Sequence, residues 1–294
     1  MHSFFQAHST PSPDDSYDQS RDRPEVRFAR DAVERLWEAN HEFLDPALPL
    51  HARACFDQRV WELVLADFLR RRGVSLQTWE ERGRSRDAEG PDLVATDGTY
   101  FEATIATGGS GPDGVPEFEL AEHVAPQEKI LLRLTNAFCT KLSQRNRWIS
   151  DGHIDPSRPF VIAINSPDVP RASSRVEISP VARALFGLGE EAFQFDLATD
   201  RHVGTSIGVK DSILKQSGRP VSTRWLLDPE SSGVSAVLYN VSNAWNLWNA
   251  SFLTLTVVHN PLATSPLKTS LCQEHNDQEY WMEPGRLRRK FGPG

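Results

Sequence analysis

Residues 90–104 read GPDLVATDGTYFEAT, two runs of strand formers on either side of Asp97-Gly98. An Asp-Gly pair in that setting is a strong hairpin signal, because glycine accepts the positive φ that a tight turn between twisted strands demands. The second run, TYFEATIAT, alternates: Phe101, Ala103 and Ile105 share one side, and Tyr100, Glu102 and Thr104 the other. An acid at an exposed strand edge would need no special explanation. Here the antiparallel return sets Asp92, at the start of the first strand, close to Glu102 in the second. Two carboxylates that near one another repel unless a proton or a cation lies between them. Mg²⁺ is ordinarily held by one or two carboxylates, with water and substrate phosphate completing its shell.

Two further polar residues interrupt apolar surfaces. Glu62 stands in RVWELVLADFL, a helix apolar around most of its circumference and so expected to be buried. A buried Glu needs a partner. Arg59, one turn earlier, offers a simple ion pair, and membership of the acidic cluster is the other reading. On the long helix predicted over 127–149, Ile130, Leu134, Ala137, Phe138 and Trp148 fall in one arc at about 100° per residue, with Lys141 near its middle. Lys141 could snorkel to water. Yet this helix directly follows the Glu102 strand and should pack across the sheet, which puts the ammonium within reach of the acids. Gln144, one turn on, flanks the same stripe and could hydrogen-bond a phosphate oxygen or water.

Before the hairpin, VRFARDAVERLWEANHEFL and FDQRVWELVLADFLRRRG carry helical spacing. The first stops before Asp45-Pro46. The second ends at Gly73 after Arg70, Arg71 and Arg72, which suit a helix C-terminus. VSLQTW reads as a further strand, FVIAIN as a fully buried one, PVARALFGL as a short helix, and SAVLYN and FLTLTVV as later strands. The chain is thus predicted to be α/β: a core of helix, three strands, helix and strand over 56–166, with a mixed elaboration over 167–275, both in a single domain spanning 26–275. Residues 1–25, rich in Ser, Pro, Asp and His, read as a disordered or loosely attached arm, and 276–294 as a basic tail.

The 294 residues leave ample length for a core, and 39% hydrophobic and 24% charged residues are ordinary for a globular protein. No run approaches the roughly 18 apolar residues of a membrane span. The N-terminus lacks the basic and apolar regions of a secretory signal, so a cytoplasmic setting with Cys55, Cys139 and Cys272 reduced is expected. Their spacing fits no zinc pattern. A formal net charge of −8 argues against coating nucleic acid by bulk electrostatics. Local basic clusters oppose that average at Arg70–Arg72, at Arg82, Arg84 and Arg86, and in GRLRRKFGPG.

With the helical Glu, the Gly90-Pro91-Asp92 and Glu102-Ala103-Thr104 elements and the element order, the sequence resembles the PD-(D/E)XK, or restriction-endonuclease-like, nuclease superfamily. The likeness covers a little over a third of the chain. Gly90-Pro91-Asp92 looks like the PD element, and Glu102-Ala103-Thr104 occupies the (D/E)XK element with Thr104 in place of the lysine. Lys141 fits the displacement of that lysine onto the neighbouring helix in some members. WEL, GPD, EAT, the Lys141–Gln144 spacing and HNPLA also look similar to a group of bacterial proteins with no function attached. The resemblance implies phosphodiester hydrolysis, DNA before RNA, with Mg²⁺ or Mn²⁺ held by Asp92, Glu102 and the Ala103 carbonyl. Glu62 would orient the attacking water or help a second ion, and Lys141 would stabilise charge at the phosphate. Gln144, Arg145, Arg82, Arg84 and Arg86 would face substrate, and a homodimer is compatible. Thr104 and the acidic net charge keep open a cleavage-inactive nuclease-fold protein that binds nucleic acid or a protein partner.

Other residues carry weaker signals. His259 at a strand end and His153 in a loop are more simply satisfied locally than catalytic. Trp225, Trp245 and Trp248 could stack on bases or fill core. No glycine-rich segment continues into the Gly-Lys-Ser/Thr of a P-loop.

Overall fold

The computed structural model of the chain describes residues 3–8, 10–83, 89–117, 126–170, 172, 178–249, 253–274, 276–284 and 286–293. The Asp97-Gly98 turn forms: Gly98 takes φ +89°, its N–H donates to the Ala95 carbonyl at 2.9 Å, and Asp97 Oδ1 accepts the Thr99 N–H at 2.9 Å. Strand β1 (Leu93–Val94) is only two residues long and pairs antiparallel with β2 (Tyr100–Ile105), Leu93 opposite Phe101. Pro91 has no N–H with which to extend that ladder. VSLQTW, expected as a full strand, contributes one bridge, Leu76 opposite Ala95. The chain then departs, with the Trp79 N–H donating to the Glu42 carbonyl at 2.7 Å. From Glu102 onward the outer edge of β2 therefore has no neighbouring strand among the described residues.

The helices before it are α1 (Asp15–Asp22), α2 (Arg27–Asn40), the single turn α3 (Leu48–His51) and α4 (Phe56–Arg71). The long helix α5 (Gln127–Ser150) leads into β3 (Phe160–Asn165), and the short α6 (Pro180–Phe186) follows. Two hairpins come next, β4 (Leu188–Asp196) with β5 (Arg201–Val209) and β6 (Ser212–Leu214) with β7 (Pro220–Ser222). Then come β8 (Ala236–Asn240), β9 (Thr256–His259), β10 (Gln278–Glu283) and β11 (Arg286–Phe291). One mixed sheet runs in the order β1-β2-β3-β8-β9-β10-β11. Its centre, β2, β3 and β8, is parallel, which requires crossover connections, and α5 is the first of them. All six residues of β3 are buried, as a strand covered on both faces should be.

Alternation divides the core into two layers. Phe101, Ala103, Val161, Ala163 and Leu238 pack with α2 and α4. Tyr100, Ile162, Ile164, Val237 and Tyr239 pack with α5 and α6. The Trp61 indole N–H ties α4 to the Ala163 carbonyl of β3 at 2.9 Å.

Two boundaries expected from sequence are corrected. Within the segment expected as a loose arm over 1–25, the described residues are docked: Phe4, Phe5 and Tyr17 are buried against Phe56 and Trp37. Three aromatic rings offset the polar composition that had suggested disorder. In the segment expected as a basic tail over 276–294, Gln278–Glu283 and Arg286–Phe291 form β10 and β11 at the far edge of the sheet. No helix among the described residues is long and apolar enough to cross a membrane, and Cys55, Cys139 and Cys272 are free thiols.

Candidate active site

The open edge of β2 is where the predicted acids meet. In this strand the backbone groups of even residues face β3, so those of Ala103 point outward. An unpaired edge N–H and carbonyl need partners. Asp92 Oδ2 accepts the Ala103 N–H at 2.7 Å, and Gln58 Nε2 of α4 donates to the Ala103 carbonyl at 3.3 Å. The same Gln58 amide donates to Glu62 Oε1 at 3.1 Å, which also receives Arg59 Nη1 at 2.6 Å.

Glu102 lies on the α5 side of the sheet. Its Oε2 accepts the Asp92 N–H at 3.3 Å, and its Oε1 takes the Lys141 ammonium at 2.6 Å. Lys141 also donates to Gln144 Oε1 at 3.0 Å. Glu62, from one face of the sheet, and Glu102 with Lys141, from the other, thus reach round a strand edge that the short β1 leaves uncovered. Contacts run without a break from Arg59 through Glu62, Gln58, Ala103, Asp92, Glu102 and Lys141 to Gln144.

Electrostatics match this crowding. Burial, and next the Asp92 carboxylate, push the Glu62 carboxyl up to about 7 despite Arg59 and Gln58. Burial and Asp92 also hold Glu102 well above the ordinary carboxylate value, and Glu62 adds to the rise, against the pull of Lys141. Two acids made harder to ionise by their own neighbours form a site where a cation would be favourable.

The donor set is all oxygen, which suits Mg²⁺ or Mn²⁺. Asp92, Glu102 and the Ala103 carbonyl are the groups that would hold such an ion. Among the described residues no three His, Cys, Asp or Glu side chains are disposed as a ready coordination shell. The carboxylates are turned instead to the Ala103 N–H, Lys141 and Arg59. Ion binding therefore requires short rotations of these side chains.

No protein-family model, curated protein or solved structure matches the chain.

Of the expected substrate-facing arginines, Arg82 and Arg145 do not join this cluster. Arg82 turns inward, donating to the carbonyls of Asp92 at 2.8 Å and Phe43 at 2.6 Å while stacking on Trp79, so it braces the loop that carries Asp92. Arg145 is buried, over the Phe160 ring and against Gly233, with Asn146 Oδ1 at 3.3 Å. Burial lowers its pKa, and it packs α5 onto the start of β3 instead of forming a rim. Arg84 and Arg86 lie outside the described residues. His259 pairs with Glu279 at 2.7 Å. Sequence reading missed Gln58, although its i,i+4 spacing to Glu62 on one helix is the signal that finds it.

Proposed function

We propose that the chain is a metal-dependent nuclease of the restriction-endonuclease-like kind, hydrolysing phosphodiester bonds, with DNA as the foremost substrate. The observation that carries this reading is the convergence of Asp92, Glu102 and the Ala103 carbonyl with Lys141 at one open strand edge, and Glu62 beside them. Asp92, Glu102 and the Ala103 carbonyl would hold Mg²⁺ or Mn²⁺. When bound, such an ion polarises the scissile phosphate and lowers the pKa of the attacking water.

The remaining work falls to side chains. Glu62, with its carboxyl near 7, is tuned to accept a proton at neutral pH, and Arg59 and Gln58 hold it in place. Lys141 spends two of its three N–H donors on Glu102 and Gln144. The third can meet the charge that develops on a phosphoryl oxygen. A lysine from α5 can serve the position that Thr104 vacates on β2, because the two elements pack face to face.

The second reading, a cleavage-inactive binding protein with the same fold, draws on Thr104 and on carboxylates already satisfied within the protein. Supercoiled plasmid incubated with Mg²⁺ or Mn²⁺ separates the two. The wild type should nick or linearise it, EDTA should abolish cutting, and Asp92→Ala, Glu102→Gln and Lys141→Ala should each slow it by about 100-fold or more. Absence of cutting with either metal on duplex, single-stranded DNA and RNA, or equal cutting by the variants, overturns the nuclease.

A further inference from the structure

The β4–β5 ribbon projects from the body. Its strands are nine residues each, about 30 Å of backbone, and among the described residues they pair only with one another. The base is held, where Leu188 is buried and β4 packs on α6. Beyond Glu191 nearly every residue of both strands is exposed. A two-stranded ribbon alone in water is marginal, because neither face has a core to pack on.

Register makes the two faces unlike. Residues directly opposite one another share a face, and Glu191 pairs with Ile207, Phe193 with Thr205 and Phe195 with His202. The His202 ring lies against both phenylalanines, with centroids 5.9 Å from Phe193 and 5.6 Å from Phe195. The reverse face carries Ala192, Gln194 and Asp196 opposite Ser206, Gly204 and Arg201. Alternation of this kind marks a strand pair with one face meant for burial, yet Phe193 and Phe195 are 55% and 57% exposed.

Charge and area select the occupant. Glu190, Glu191, Asp196 and Asp200 against Arg201 alone make the ribbon repel nucleic acid and anionic membranes. Those acids stand at the base, on the reverse face or in the turn, so from Phe193 outward the apolar face has no carboxylate. Two copies related by a two-fold axis can therefore bring it together without opposing acids. Phe193, Phe195, Ile207, Val203, Val209 and the turn residue Leu197 are all exposed, and together leave on the order of 600 Å² of apolar surface in water. A standard interface takes about 800 Å² from each partner, so one ribbon supplies most of what a dimer needs.

We propose that the face bearing Phe193, Phe195 and Ile207 is the interface with a second copy of this chain, the two ribbons stacked face to face about a two-fold axis. The pairing is separate from the acidic cluster and needs neither metal nor substrate.

The test is sedimentation of the full chain in EDTA over a concentration series. The wild type should pass from the 33.0 kDa chain to twice that mass, with a dissociation constant on the order of 10 µM, as befits an interface at the small end of the specific range. Phe193→Ser and Phe195→Ser should each weaken the dimer about tenfold or more, whereas Gln194→Glu, on the reverse face, should leave it intact. Both rings lie in water in the single chain, so at high dilution the serine variants should melt with the wild type, which separates lost pairing from lost folding. A wild type that keeps single-chain mass at about 100 µM overturns the proposal. So do serine variants that pair as tightly as wild type, or a Gln194→Glu change that dissociates the dimer as strongly. Plasmid cutting can fail while this pairing holds, and the reverse.

Discussion

Glu62 shows how one residue answers two demands. Its i,i+3 spacing to Arg59 is legible in sequence as an ion pair, and that pair forms at 2.6 Å. The spacing is silent on Asp92, whose charge reaches Glu62 only through the fold. The consequence is measurable. With its pKa raised from 4.5 to about 7, Glu62 binds a proton more readily in the folded chain than in the unfolded one. Its contribution to stability is then fully present below about pH 4.5 and is lost as pH rises through about 7. Glu62→Gln, a mimic of the protonated form, should equal wild type at pH 4 and exceed it at pH 8 by at most about 3 kcal/mol, measured by urea unfolding. Asp57, pushed to about 7 by burial and by Asp168 and Asp14, titrates in the same window. The informative quantity is therefore the difference between variant and wild type, and a difference independent of pH would refute the assignment.

Among the elements, the hairpin around Asp97-Gly98, the two main helices α4 and α5 and the strand β3 were readable from turn chemistry and periodicity. The shortness of β1 was not, because it depends on where residues 75–79 go after a single bridge and on Pro91 ending the ladder. That shortness exposes the Ala103 backbone to Asp92 and Gln58. The N-terminal segment departs from its expected disorder for a related reason: composition weighs Ser and Pro, whereas the buried Phe4, Phe5 and Tyr17 tie it to the core. Asp14 completes that anchor. Its Oδ1 caps α1 by accepting the Ser16 N–H at 3.0 Å, and its Oδ2 accepts the Phe56 N–H at the start of α4 at 2.7 Å. Asp14→Ala should destabilise the protein by about 1–2 kcal/mol, with Asp14→Asn recovering only part of it, because its amide offers one acceptor oxygen for two N–H groups. Matching denaturation midpoints for Asp14→Ala and wild type would show that the segment is not held this way.

Across the whole molecule, helix α4 and the C-terminal hairpin are joined by a buried ion pair that no local pattern announces. Arg72, just past α4, meets Asp277 with Nη2–Oδ2 at 2.8 Å and Nε–Oδ2 at 3.1 Å, and both side chains are buried. Asp277 also accepts the N–H groups of Leu255, Gln273 and Glu274. Removing one partner strands the other charge in the interior, so Asp277→Ala should destabilise by about 3–5 kcal/mol, and the double change Arg72→Met with Asp277→Leu by much less. Urea unfolding of the single and double variants checks this; a double variant no better than Asp277→Ala would mean that the backbone hydrogen bonds carry the junction.

The amino-acid sequence by itself determined the mixed α/β class, the succession of α4, the β1–β2 hairpin, α5 and β3 without the further strand expected at VSLQTW, and the residue types at Glu62, Asp92, Glu102 and Lys141, since these follow from periodicity and turn chemistry within short windows. Tertiary structure alone decided that β2 has an open edge among the described residues, that Arg82 and Arg145 turn inward, and that Phe4, Phe5, Tyr17 and the strands β10 and β11 belong to the folded body. Those outcomes depend on which surfaces meet across tens to hundreds of residues, and neither helical nor strand spacing carries that information.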